Sequence, residues 1–212
     1  MVEFPMKCPF CNHNKLYLLK TKQLKCASCK KKFSPKKMEQ QHKIIELFCD
    51  DFTAYQTAKT LLLNYQTVKN EYENLRKIIA NFLENQFLNK NVQEYDEYLY
   101  LEKSKNSKLE ILKAKNFLTF HYENSVYNLL MPEMNRYNNL EPKELSRFIS
   151  LNKISKKDKK ETIIQNFWEF FESSIVKYRG VKEKNFFYYL KEIEFKFNYP
   201  LEEQLKILGD IG

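Results

Sequence analysis

Two short stretches, Cys8-Pro-Phe-Cys11 and Cys26-Ala-Ser-Cys29, carry the clearest chemistry in this 212-residue chain. In a Cys-x-x-Cys pair the two intervening residues let both thiolates turn toward one ion. Two such pairs complete a tetrahedral four-cysteine shell of the kind that holds structural zinc. Such a shell is closed, which argues against a hydrolytic zinc centre, because no position remains for water. Disulfides are the rival reading. They are disfavoured in a reducing compartment, and no signal-peptide apolar region is visible. With the shell full, His13 and His42 are not needed as ligands. Cys49, inside the apolar helical run "KIIELFCDDF", reads as a small core residue.

The elements that must hold these thiolates are short. Leu16, Tyr17, Leu18, Leu19 and Leu24, between the two knuckles, fit the strands of a zinc ribbon. A ribbon of this size buries little apolar surface, so metal binding should supply much of its folding free energy.

Charge follows the same segment. The net charge is +9. Residues 1–40 hold ten Lys and two Glu, residues 41–90 balance six basic against six acidic side chains, and the remainder is close to neutral. Four thiolates around one dication add about −2, which leaves the head still strongly basic. A basic head on a neutral body fits a polyanionic partner, and nucleic acid is the commonest inside a cell. Lys30, Lys31, Lys32, Lys36 and Lys37 follow the second knuckle and are the candidates for phosphate contacts. No apolar run approaches the roughly 18–20 residues needed to cross a bilayer. A soluble, cytoplasmic protein without membrane partners is therefore expected.

A three-helix unit is predicted next. Ser34-Pro35 reads as an N-cap followed by Pro in the first helical position. Ile44, Ile45 and Phe48 then recur at helical spacing. Thr53 can cap a second helix with Ala54, Ala58 and Leu62 on one face, and Asn64 suits a tight turn. Val68, Tyr72, Leu75, Ile79 and Phe82 mark a third helix. This is the pattern of a helix-turn-helix, in which the exposed N-terminal residues of the last helix meet the major groove. Here those residues are Tyr65, Gln66, Thr67, Lys69 and Asn70. Gln and Asn can read adenine edges, and Lys can take guanine or phosphate. An ordinary three-helix bundle with a solvated polar face is the competing reading.

Beyond residue 90 the pattern changes again. "NVQEYDEYLYLE" alternates as a strand, and "KNFLTFHYENSVYNLLM" reads as a hairpin turning at "ENS". "EPKELSRFI" reads as a helix, and Lys153 to Lys160 as a charged link. "KETIIQNFWEFFESSIVKYRG" is an amphipathic helix with Ile164, Phe167, Trp168, Phe171 and Ile175 inward and Gly180 as its stop. "KEKNFFYYLKEIEFKFNYP" is another, with Phe186, Leu190, Ile193 and Phe197 inward and Pro200 beyond its end.

Taken in order, "CPFC…CASCKKKFS", "AYQTAKTLLLNYQTVKNEYENLR", "EYDEYLYL", "IIQNFWEFF" and "YRGVKEKNFFYYLKEIEFKFN" resemble the zinc-ribbon transposases of bacterial insertion sequences. The resemblance covers nearly the whole chain. It implies an α+β multi-module protein: a zinc ribbon over 1–35, a helix-turn-helix over 36–88, and a shortened RNase H-like DDE domain over 89–212. In that family three acidic or amide side chains hold two Mg²⁺ ions, one activating the attacking oxygen and one stabilising the leaving oxygen. Asp96 in "EYDEY" matches the first carboxylate, with Glu94 and Glu97 as neighbours. For the second, the sequence between Asp96 and Asp210 offers only Asp158. The third position, on the "FW" helix, falls on Gln165, with Glu161 and Glu169 about one turn either side. An amide in place of a carboxylate removes a negative charge from a site that must hold two dications.

The expectation is thus a transposase-type protein that binds double-stranded DNA, carries structural zinc and has an impaired catalytic site. Mg²⁺ enters only if catalysis survives. The resemblance also implies assembly as a dimer or larger oligomer. Two other readings stand beside it: a working transposase that cleaves and joins DNA, and an RNA or protein interaction module. The last rests on the aromatic-lysine interleaving of "NFFYYLKEIEFKF", which helical spacing assigns more simply to a core.

Overall fold

The computed structural model of the protein describes residues 7–100, 115–131, 162–178 and 183–211. The chain divides into two compact units, one of Met1–Tyr72 with Leu205–Gly212 and one of Glu73–Gln204. The architecture is mixed α/β, with two small antiparallel sheets and six α-helices among the described residues.

In the first unit, β1 (Leu16–Leu18), β2 (Leu24–Cys26) and β3 (Lys32–Phe33) form an antiparallel sheet in the order β1-β2-β3. Three helices follow. α1 (Pro35–Cys49) starts as the sequence predicts: the Ser34 side chain accepts from the Lys37 amide, and Pro35 sits at the first position. α2 (Ala54–Thr60) opens with a capping box between Thr53 and Gln56. α3 (Tyr65–Phe87) is the long third helix; its residues up to Tyr72 belong to this unit and those from Glu73 to the second.

Schellman turns end α1 and α2. The Phe52 amide donates to the Leu47 carbonyl, and the Leu63 amide to the Ala58 carbonyl. The left-handed positions are filled by Asp51 (φ 64) and Leu62 (φ 54), not by glycine. This corrects the expectation for Leu62. α2 stops at Thr60, so Leu62 does not share a buried face with Ala54 and Ala58; it lies in the turn, 91% exposed. Ile44, Ile45, Phe48, Cys49, Ala58, Val68 and Tyr72 are all buried. The Tyr72 ring meets Phe48 edge to face at 4.9 Å, and its hydroxyl reaches the Thr57 hydroxyl at 2.6 Å and the Phe52 carbonyl at 3.0 Å.

The second unit is built on β4 (Glu94–Tyr100), β5 (Lys115–Tyr122) and β6 (Ser125–Leu130), an antiparallel sheet in chain order. The β5–β6 turn is Glu123-Asn124, with Glu123 at φ 52, as "ENS" foretold. α4 (Ile163–Ile175) covers one face of the sheet. Its Ile164, Phe167, Trp168, Phe171 and Ile175 form a core with Phe117, Val126, Phe186, Leu190 and Ile193, against which Tyr98 and Tyr100 pack. Tyr98 lies 4.8 Å from Trp168, and Tyr100 5.2 Å from Phe171. A 3-10 turn (Glu183–Asn185), α5 (Phe186–Asn198) and α6 (Leu201–Ile211) follow; from Leu205 onward α6 belongs to the first unit. The expected helix at "EPKELSRFI", the link Lys153 to Lys160, and Gly180 lie outside the described residues.

α5 closes the free edge of β6 with its side chains. Asn198 accepts from the Val126 amide at 2.9 Å and donates to its carbonyl at 2.8 Å. One turn earlier, Glu194 accepts from the Asn128 amide and side chain, both at 2.9 Å. A step of four residues along a helix covers about 6 Å, and a step of two along a strand about 6.8 Å. The two ladders therefore stay in phase over one repeat, and the edge is covered without another strand. Glu194 is fully buried and paired with Lys191, also buried, at 2.9 Å. A second buried pair, Arg76–Glu192 at 2.6 Å, joins α3 to α5, and Tyr178 donates to the other Glu192 oxygen at 2.7 Å.

These pairs are costly to form and more costly to break singly, because removing one partner strands the other charge away from water. Glu194→Ala is expected to lower unfolding free energy by about 3–5 kcal/mol, read as an earlier urea midpoint in the signal of Trp168. A loss under about 0.5 kcal/mol, the size expected of an exposed pair, would contradict the burial.

Candidate metal centre and nucleic-acid interface

The two knuckles are built alike. In the first, the Cys8 amide donates to the His13 carbonyl and Asn12 takes a left-handed φ of 56. In the second, the Cys26 amide donates to the Lys31 carbonyl and Lys30 takes a φ of 62. Each left-handed residue directly follows the second cysteine and turns the chain back, so both sulfurs of a pair face the same point. The Sγ atoms of Cys8, Cys11, Cys26 and Cys29 all lie within 4.8 Å of one another. Cys8–Cys29 is 3.7 Å and Cys11–Cys26 is 3.5 Å. A tetrahedron with metal–sulfur bonds of about 2.3 Å has edges near 3.8 Å, so the four sulfurs fit a metal ion such as zinc.

The sulfur environments differ. Burial raises the Cys26 thiol, but the amides of Cys29 and Ser28 and the neighbouring sulfurs outweigh it, and its pKa falls to about 6. At Cys29 the Lys31 amide lowers the pKa, but burial and the three other sulfurs prevail and push it up to about 11. A cation removes this competition by attracting all four thiolates. Among the described residues these cysteines are the only group of three or more His, Cys, Asp or Glu side chains that could hold a metal ion.

The ribbon core is small: Cys8, Leu24, Cys26 and Phe33, with Leu16, Cys29 and Met38 packed against it. Met38 belongs to α1, so the ribbon is seated on the helix that follows it. The lysines after the second knuckle fall in different places. Lys30 folds back to donate to the Ala27 carbonyl, and Lys31 lies 4.4 Å from the centre of the Phe10 ring. Lys32 stands on the outer face of the sheet, and Lys36 and Lys37 are exposed in the first turn of α1. That turn contains no acidic residue, so two lysines add to the positive end of the helix dipole and an anion would relieve them.

At the start of α3, Tyr65, Gln66, Thr67 and Asn70 are exposed and Lys69 is half-buried. Asn64 caps the helix, its side-chain oxygen accepting from the Gln66 amide at 2.8 Å. Gln66 Nε2 donates to Asn70 Oδ1 at 2.7 Å. That bond still leaves Gln66 Oε1 as an acceptor and Asn70 Nδ2 as a donor, the pair that an adenine edge requires.

In the second unit, Asp96 and Gln165 line one cleft of about 90 Å³, with Glu94, Tyr95, Thr162 and Ile164. Both side chains have local duties. Asp96 accepts from the Glu97 amide at 2.8 Å, and the Gln165 oxygen accepts from the Thr162 amide at 3.3 Å in the capping box of α4. Glu97 instead accepts from the Asn116 side chain, and Glu169 is exposed on α4 and does not line the cleft. Glu161 and Asp158 lie outside the described residues. With Glu94 and Asp96 the only carboxylates among its described residues, the cleft does not fit a two-metal site.

Comparison of the chain with protein-family models, with curated proteins and with solved structures finds no match. No helix among the described residues is long and apolar enough to cross a membrane. Sequence reasoning missed the Gln66–Asn70 bond, although an i, i+4 amide pair on a predicted helix was signal enough to find it.

Because so few apolar residues support the ribbon, stripping the metal with a chelator should collapse it locally. Hydrogen exchange of the zinc-loaded protein is expected to show residues 16–33 losing protection after chelation, while 115–130 keep theirs. Unchanged protection over 16–33 would mean that the ribbon does not depend on metal.

Proposed function

We propose that this chain binds duplex DNA through a zinc-bound ribbon and the adjoining helix-turn-helix, as a transposase-type protein with an impaired catalytic site. The observation that carries the reading is the charge of the first unit. Between Lys7 and Met38 there are ten lysines and no Asp or Glu, spread over the ribbon and the start of α1. A tetrahedral thiolate set suits zinc above the hard divalent cations. The exposed Gln66–Asn70 pair adds base-reading groups at the helix end where a helix-turn-helix presents them.

The transposase part of the reading rests on the resemblance of the sequence. It is supported by the meeting of Asp96, on the first strand of the body, with Gln165, on the "FW" helix, in one cleft. The impairment follows from the chemistry of that pair. Among the described residues of the cleft only Glu94 adds a further carboxylate, and two carboxylates with an amide already engaged in capping make a poor cradle for two dications.

A titration of zinc-loaded full-length protein on fluorescent duplexes tests this. Contacts from Lys31, Lys32, Lys36, Lys37 and Lys69 give a log–log salt slope of about −4 to −5, so affinity should fall about 500-fold between 50 and 200 mM salt. Gln66→Ala with Asn70→Ala should weaken a selected site and leave the slope unchanged. Supercoiled plasmid incubated with the protein and Mg²⁺ should stay intact. Absent or salt-insensitive binding would end the DNA reading, and nicking that disappears in Asp96→Ala would make the protein a working enzyme.

A further inference from the structure

The two faces of the ribbon sheet differ sharply. Its inner face carries Leu16, Leu24, Cys26 and Phe33, which form the core and supply a metal ligand. On the outer face, strand register sets Tyr17 opposite Lys25 and Lys25 opposite Lys32, so one cross-strand row reads Tyr-Lys-Lys. Lys15 adds a third cation, its Nζ 5.7 Å from the centre of the Tyr17 ring. Tyr17 is 48% exposed on this solvent-facing side of the sheet. Adjacent strands lie about 4.8 Å apart, so the row spans about 10 Å, with an aromatic ring at one end and ammonium groups along the rest.

This row suits one kind of ligand. A protein partner would be met by apolar neighbours around the ring, but here its row neighbours are lysines. Duplex DNA can use the lysines but not the ring, because its base faces are hidden in the stack. An unpaired strand offers both a free base face and a phosphate backbone. We propose that the outer face of the ribbon is a single-strand platform, on which Tyr17 stacks an unpaired base while Lys15, Lys25 and Lys32 take the flanking phosphates. It shares with the duplex reading only the premise that the ribbon meets nucleic acid. It assigns that nucleic acid a local unpaired segment.

The test compares the zinc-loaded full chain with Tyr17→Ala and Tyr17→Phe, titrated on a 20-nucleotide oligo-dT and on a 20-base-pair duplex at one low salt concentration. Tyr17→Ala should weaken oligo-dT binding about tenfold, the loss of one base stack, and shift duplex binding less than twofold. Tyr17→Phe should bind oligo-dT as the unmodified chain does, because stacking needs the ring and not the hydroxyl. Zinc content and circular dichroism of each variant confirm that the ribbon is intact, which the outward position of Tyr17 favours. Equal losses on both ligands, equal losses in the Ala and Phe variants, or no oligo-dT binding would overturn the platform. Tyr17-dependent oligo-dT binding without duplex binding would leave the platform standing and remove the duplex reading instead.

Discussion

Four sulfur atoms held within 4.8 Å of one another set the terms for the first unit. Four thiolates at that distance repel one another, and four thiols can bond only to one another and to nearby amides. A dication resolves both problems at once. The geometry around it is economical, because two left-handed residues and two amide–carbonyl bonds aim all four sulfurs inward. Four buried residues cannot otherwise hold three short strands in register. The placement of every ribbon lysine, and of the exposed Tyr17 ring, depends on that register.

The second unit reaches order by another route. Its sheet is covered on one face by the aromatic stripe of α4, and its β6 edge is closed by Glu194 and Asn198 of α5. The bonds from Asn128 to Glu194 and the buried Arg76–Glu192 pair fix which turn of α5 meets β6 and α3. Slipping the α3–α5 contact by one turn would strand Arg76 and Glu192 away from water. Trp168 joins the same logic, donating to Thr119, which in turn donates to Asn128 beside Glu194. A polar chain thus crosses the sheet beneath the helix, with each buried group satisfied by the next.

Much of this was legible before the structure. Cys-x-x-Cys spacing announced the metal shell, Ser34-Pro35 and Thr53 announced helix starts, and the inward faces of α4 and α5 followed from apolar spacing. What periodicity could not reveal was the burial of Lys191, Glu192 and Glu194. Their partners, Tyr127, Asn128 and Arg76, are distant in sequence, and nothing local in "YLKEIEFKF" distinguishes a paired buried charge from a solvated one. Leu62 was misplaced for a different reason. A leucine at helical spacing reads as a core residue, whereas here a Schellman turn places it in a left-handed, exposed position. The cleft was legible only in part: Asp96 and Gln165 do meet there, but the capping role of Gln165 depends on where α4 begins.

Metal content is the most direct measure of the account. Protein purified without added metal and exchanged into metal-free buffer is expected to retain one zinc per chain, by elemental analysis, and to release its thiols to a colorimetric reagent only after chelation. Zinc-free protein with four freely reactive thiols, or with its knuckles joined as disulfides, would contradict it.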